Sequence, residues 1–233
     1  RYDTDQKLSA ISFLKATGAS FYNFENMMKA VSGVSGSENG EWSAKNWARG
    51  KDILIIGSGP STKSYIKEII GYIKRKNPVV LCLNINELIP NELVTAYVAS
   101  RSSRLVIDSG RYKTLKKPII MPLSRIPPKL KKLFLKATIL DYGLSLKDEA
   151  FQILDNGCIL DTSLTINYAI SVATASGANQ ILLTGIDGYE ESDPRQLEML
   201  SSIDRYKSLS KSLPIFALTP TNYPITVKSI YMS

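Results

Sequence analysis

Residues 52–64 read DILIIGSGPSTKS. Four consecutive aliphatics, Ile53, Leu54, Ile55 and Ile56, form a short apolar run of the kind that a strand buried on both faces requires. The run stops at Gly57-Ser58-Gly59-Pro60-Ser61. Beyond it, Ile66, Ile69, Ile70 and Ile73 recur at the i, i+3, i+4, i+7 spacing of a helix's core face. The glycines therefore fall in a strand-to-helix turn, where they let backbone approach a ligand and where the N–H groups of the first helical turn favour an anion. A phosphate suits such a place, and so does a tight turn with nothing bound. No Gly-Lys-Ser/Thr follows, so this is no Walker loop, and Ser61-Thr62 departs from GxGxxG.

The same strand design recurs along the chain. Apolar runs at 78–83 (PVVLCL), 95–99 (TAYVA) and 119–121 end in Asn84-Ile85-Asn86, Ser100-Arg101 and Pro122-Leu123-Ser124-Arg125. Those at 181–183 and 214–218 (PIFAL) end in Thr184-Gly185-Ile186-Asp187-Gly188-Tyr189 and Thr219-Pro220-Thr221-Asn222-Tyr223. Strands alternating with helical or irregular crossovers predict an α/β fold with a mostly parallel sheet and flanking helices. The polar endings would gather along one carboxyl edge, where open sheets of this kind bind ligands. Asp161, Thr162 and Ser163 supply N-cap chemistry for a helix through Ala175, which Gly177 closes. Asp187 suits a ribose hydroxyl or a cap for a helix over 194–211; Tyr189 suits a phosphate or a half-buried wall.

The 233 residues, 44% hydrophobic and 21% charged, suit one sizeable core with an appendage. Residues 1–32 read as a helical N-terminal extension of two short helices, with Leu8, Ile11 and Leu14 on one and Phe24, Met27, Met28 and Val31 on the other. Asp3-Thr4-Asp5 precedes a helix and reads as a cap, so no metal site is expected there. Residues 33–50 read as a Gly/Ser/Asn-rich linker that Trp42 and Trp47 tuck onto the main domain, and 51–233 as the nucleotide-binding domain. No apolar run reaches the ~20 residues of a membrane span, and RYDTDQ lacks the apolar core of a signal peptide, so a soluble, cytoplasmic protein is expected. The chain opens on arginine with no initiator methionine, which reads as a piece of something longer.

The count with the most consequence is zero histidines. It excludes Ser-His-Asp and Cys-His catalysis, His-bearing metal sites and the usual near-neutral acid/base group. Cys82 and Cys158 lie in apolar runs and read as buried thiols. The net charge of +8 favours anionic partners. Much of it falls between Lys113 and Lys136, where Leu130, Leu133 and Phe134 fit a short amphipathic helix after Pro127-Pro128. That stretch suits a lid over an anionic substrate, a surface for acidic polymer or an anionic membrane, or a solvated helix face. No nucleic-acid-binding signature accompanies the charge, so no nucleic acid is expected as partner.

Gly57-Ser58-Gly59-Pro60-Ser61 after a strand, the Asn84 strand end, Thr162-Ser163 opening a helix, and Gly185-Ile186-Asp187-Gly188-Tyr189 together resemble the bacterial sialyltransferases of glycosyltransferase family 42. Thr219-Pro220-Thr221-Asn222 is similar to that family's last strand end. The likeness runs from about 51 to 223 in order, with 100–156 matching poorly. It extends to a wider Rossmann-like group that includes the archaeal hydroxymethylpterin pyrophosphokinase. The resemblance implies a Rossmann-like domain in which Gly57, Ser58, Gly59, Pro60, Ser61, Asn84, Thr162, Ser163, Gly185 and Asp187 surround a CMP moiety. Tyr189 would then stand at the leaving phosphate, in a metal-free reaction where hydrogen bonds replace a cation. The family's general base is a histidine, which this chain lacks. Both ends of the chain also resemble the C-terminal region of longer bacterial proteins with an aldolase-type barrel in front.

The reading that follows is a glycosyltransferase-like domain for bacterial surface glycan synthesis. Its partners would be a nucleotide-sugar donor, CMP-linked to a 2-keto sugar acid, a glycan acceptor and an N-terminally fused aldolase-type barrel. Glu190 and Glu191, next to Tyr189, read either as solvated loop residues, which their polar context favours, or as carboxylates that replace the missing base. The alternatives are a non-catalytic nucleotide- or substrate-binding module of an aldolase-fused protein, and a relative of the pterin-type pyrophosphokinases.

Overall fold

A computed structural model describes residues 36–231, so the expected extension over 1–32 lies outside the described residues. The chain first lays down β1 (Ile53–Ile56), α1 (Pro60–Ser64), α2 (Ile66–Lys76), β2 (Val79–Leu83), β3 (Ala96–Val98), α3 (Ser102–Ile107), α4 (Ser109–Tyr112), β4 (Ile119–Met121) and β5 (Ile139–Asp141). There follow β6 (Gly143–Leu146), β7 (Phe151–Leu154), β8 (Gly157–Leu160), α5 (Thr165–Ala175), β9 (Ile181–Thr184), α6 (Pro194–Lys207) and β10 (Ile215–Ala217). Seven strands form one sheet in the order β10-β9-β1-β2-β3-β4-β5, with every neighbouring pair parallel. This is the mostly parallel, Rossmann-like α/β architecture expected from the sequence.

The apolar runs form these strands because both faces of the sheet are covered. Ile53 and Ile55 point into one core, with the buried side of α5; Leu54 and Ile56 point into the other, with Ile69, Tyr72 and Ile73 of α2. All four β1 residues are buried, which is why the run shows no polar alternation. From β1 the chain works outward through β2 to β5, then returns to β9 on the other flank of β1. That reversal opens a crevice above the carboxyl ends of β1 and β9, the place where such sheets take ligands.

A second, three-stranded sheet in the order β6-β8-β7 was not anticipated, nor was β5. The pair β7–β8 is a hairpin with the two-residue loop Asp155-Asn156, joined by β6 running parallel to β8. Residues 36–50 lie along this sheet. The Gly40, Trp42 and Ala44 amides donate to the Asn156, Asp141 and Asp155 carbonyls at 2.9, 2.9 and 2.7 Å. Trp42 meets Trp47 and Tyr142 edge-on, with ring centroids 5.5 and 6.3 Å away.

Three helix boundaries differ from expectation. The first helix is broken at Tyr65 into α1 and α2. Leu164, not Thr162 or Ser163, precedes the first turn of α5, because Thr162 Oγ1 accepts from the Leu164 amide at 3.3 Å and Asp161 is drawn into an ion pair with Arg205 of α6. The helix expected over 194–211 ends at Lys207, and the short amphipathic helix expected after Pro127-Pro128 is a 3-10 helix, Pro128–Phe134. Among the described residues no helix is long and apolar enough to cross a membrane.

Candidate functional site

Above the carboxyl ends of β1, β2 and β9 lies a cavity of about 610 Å³. Its floor is made by Gly57–Pro60 after β1, Leu83–Ile85 at the end of β2, and Gly185–Tyr189 after β9. The first turns of α3 and α5 and the start of α6 form its walls. Gly57, Ser58, Gly59, Pro60, Asn84, Gly185, Asp187 and Tyr189 thus come together at one cavity from three separate strand ends. Ser61, Thr162 and Ser163 do not line it. Thr165 and Ile166, just beyond the expected helix start, do.

The floor is closed upon itself by hydrogen bonds between the β1 and β9 loops. The Gly57 amide donates to the Thr184 carbonyl at 2.8 Å and the Gly59 amide to the Gly185 carbonyl at 3.0 Å. The Ser61 amide donates to Asp187 Oδ2 at 2.7 Å, and the Ser61 hydroxyl donates to Asp187 Oδ1. Ser61 Oγ also lies 3.1 Å from Thr219 Oγ1, which accepts from the Gly185 amide at 3.0 Å. An anion therefore already caps α1, and it is the chain's own Asp187 carboxylate. The Thr62 amide donates to the Gly59 carbonyl at 3.0 Å, which leaves Ser58 as the residue of this turn whose amide makes no hydrogen bond among the described residues.

The glycines serve the same closure. A Cβ on Gly59 would stand 2.7 Å from the Gly185 carbonyl oxygen and 2.8 Å from Asp187 Cγ, and one on Gly57 would run into Gly185 and Ile186. It is a neighbouring loop, before any ligand, that excludes side chains here.

Polar groups open to the cavity come from the walls and from Asn84. Its backbone is left-handed, at φ 55°, and its amide is fixed by the Val98 carbonyl at 2.8 Å. Asn84 Oδ1 is buried and has no hydrogen-bond partner among the described residues. A strained backbone carrying an unsatisfied acceptor at a cavity is what a ligand donor would complete. Arg101, one residue before α3, lines the cavity and makes no side-chain hydrogen bond or ion pair among the described residues. Arg104 lines it too, held at 2.5 Å by the buried Asp108 carboxylate. Across from them Arg195 stacks on the Tyr189 ring, its Cζ 4.1 Å from the centroid, and Asp193 holds the guanidinium at 2.5 Å. That contact pulls the Asp193 carboxyl down to about 2.

Arg104 and Arg195 are matched by Asp108 and Asp193, which leaves Arg101 as the lining cation with no carboxylate bound to it among the described residues. Sequence reading passed over Arg104 and Arg195, and took Arg101 only as a strand end. Glu190 and Glu191 are exposed and do not line the cavity. Cys82 and Cys158 are buried, and burial pushes both thiols up, Cys82 to about 12, so neither is a nucleophile at neutral pH.

The chain matches no family model and no curated protein. Among solved structures it is similar to the MAf glycosyltransferase from Magnetospirillum magneticum AMB-1, with a TM-score of 0.57 and 13% sequence identity. The match takes in 92% of this chain and 39% of the other, so this chain spans about two-fifths of that protein's length. At that identity the likeness is one of fold alone, a mostly parallel sheet with flanking helices.

Proposed function

We propose that this domain binds a nucleotide-activated sugar in the cavity at the β1/β9 crevice and acts as a glycosyltransferase, the donor being a CMP-linked 2-keto sugar acid. The observation that carries the reading is Asn84, which lines the cavity at a strand end with a left-handed backbone and a buried Oδ1 that pairs with none of the described residues. A side-chain acceptor so placed suits an exocyclic amino group or a ribose hydroxyl. The fold likeness to a glycosyltransferase and the guanidinium of Arg101 in the cavity wall agree with a nucleotide-sugar.

In such a transfer the acceptor hydroxyl attacks the anomeric carbon, and the bond from that carbon to the phosphate oxygen breaks. The electron pair leaves with the nucleoside monophosphate. Charge develops on the departing phosphate, and the donors in reach of the cavity are the Ser58 amide, the Arg101 guanidinium and the Tyr189–Arg195 pair. Glu190 and Glu191 stand outside the cavity and the one lining carboxylate, Asp187, has both oxygens engaged by Ser61, so in this reading the acceptor or donor substrate supplies its own base.

Isothermal titration of CMP, CDP, UDP, GDP and ATP tests the reading. CMP is expected to bind most tightly, and Asn84→Ala to weaken it about tenfold, the value of one buried hydrogen bond. A preference for ATP would move the domain to the pyrophosphokinase-like reading. Absence of binding by all five at millimolar concentration would refute both. Binding of CMP without measurable sugar transfer would leave a nucleotide-binding module.

A further inference from the structure

Away from the cavity, the distribution of charge is uneven. Residues 109–140 hold nine of the 29 Lys and Arg and none of the 21 Asp and Glu, so the rest of the chain, with 20 cations to 21 anions, is close to neutral. Two crossovers on one face of the sheet carry this charge. Tyr112 of α4 and Phe134 of the 3-10 helix Pro128–Phe134 are buried in the same core, with ring centroids 6.4 Å apart. Lys113 therefore adjoins the lysines of that helix. Lys113, Lys116, Lys129, Lys131, Lys132 and Lys136 are all exposed, and none makes an ion pair among the described residues.

The helix type sorts these side chains. At three residues per turn, residues three apart eclipse one another. Leu130 and Leu133 form one row and pack toward the core, with Phe134 buried beside them. Lys129 and Lys132 form the outward row, and Leu135, which continues the helical backbone at φ −55° and ψ −23°, falls next in line. Leu135 is 83% exposed, the most exposed of the large hydrophobic residues described. A single exposed leucine is ordinary. A leucine at the end of a lysine row, flanked by Lys136 and with no carboxylate nearby in sequence, is the pattern of a surface that meets lipid: cations for the headgroups and one apolar side chain for the acyl boundary.

We propose that this face, the row of Lys129 and Lys132 that ends in Leu135, docks the protein on an anionic lipid surface. Nucleic acid would be attracted by the same charge, but it offers nothing to a protruding leucine. The docking is independent of what the cavity binds.

Vesicle co-sedimentation with the whole chain tests this. Binding is expected to phosphatidylcholine vesicles containing about 30 mol% phosphatidylglycerol and not to phosphatidylcholine alone, and to be released when KCl rises from about 0.1 M to about 0.5 M. Replacing Lys129 and Lys132 together by alanine should lower the partition coefficient about 30-fold, and Leu135→Ser about fivefold to tenfold. Failure of the unaltered protein to bind anionic vesicles at low salt overturns the proposal. Unchanged binding by either variant does so too. Tighter binding to a single-stranded oligonucleotide than to the anionic vesicles at the same salt overturns it in favour of nucleic acid.

Discussion

Gly59→Ala separates a turn shaped for a ligand from a turn shaped for its neighbour. Gly59 has φ −62° and ψ 158°, a conformation any residue adopts, so alanine introduces no backbone strain there. The cost is one of space. The new methyl group would stand 2.7 Å from the Gly185 carbonyl oxygen and 2.8 Å from Asp187 Cγ, so the β1 and β9 loops must move apart. Moving them loosens the bond from the Gly59 amide to Gly185 and the charge-assisted bond from the Ser61 amide to Asp187. At about 1 kcal/mol for the neutral bond and about 1.5–3 kcal/mol for the charged one, the expected loss is about 2–4 kcal/mol. This corresponds to a fall of roughly 5–12 °C in Tm for a chain of this size. Urea unfolding would measure it, with Gly110→Ala as the control. Gly110 sits in α4, and a Cβ there meets nothing within 4 Å, so that variant should be neutral or up to about 1 kcal/mol more stable. The effect of Gly59→Ala should shrink in an Asp187→Ala background, where the carboxylate contact is already gone. A Gly59→Ala protein within about 0.5 kcal/mol of the parent would refute the closure argument.

Stability should be nearly flat from about pH 6 to 8 and fall from about pH 8.5 upward, as read from the guanidinium midpoint across pH, because the chain has no histidine and burial raises first its two thiols and then its tyrosines above their unfolded values. Burial raises Tyr72, Tyr97, Tyr206 and Tyr223, the last to about 12, so the unfolded chain loses these protons first and stability drops as pH passes the ordinary phenol range; a fall beginning near pH 7 would contradict this. Cys82 and Cys158 should resist a thiol reagent in the folded protein at about pH 8 and react on unfolding, and fast labelling of the native protein would contradict their burial.

The large sheet is legible in the sequence wherever a strand is covered on both sides, since it then writes itself as an unbroken apolar run: Ile53–Ile56, Val79–Leu83 and Ile181–Thr184 are all wholly buried. β5 is not, because Ile139–Asp141 is an edge strand, half-buried throughout. The small sheet had a signal that went unused. Asn156-Gly157 between two short runs points to a hairpin, but the loop joining β7 to β8 is Asp155-Asn156, one residue earlier, and it does not use the left-handed backbone of an Asn-Gly turn. Thr162 and Ser163 misled because cap-forming residues bond to whatever backbone is near, here the Leu164 amide, without opening the helix.

The deeper limit on sequence reading lies in the floor of the cavity. Gly57-Ser58-Gly59-Pro60-Ser61 carries the composition of an anion cradle, but whether its amides are open depends on a carboxylate 126 residues away in the β9 loop. Asp187 spends the capping position of α1 on holding the two loops together, so recognition must come from groups the closure leaves over. Those are the Ser58 amide, the unpaired acceptor of Asn84, and the arginines of α6 and of the segment around α3, which approach from the walls.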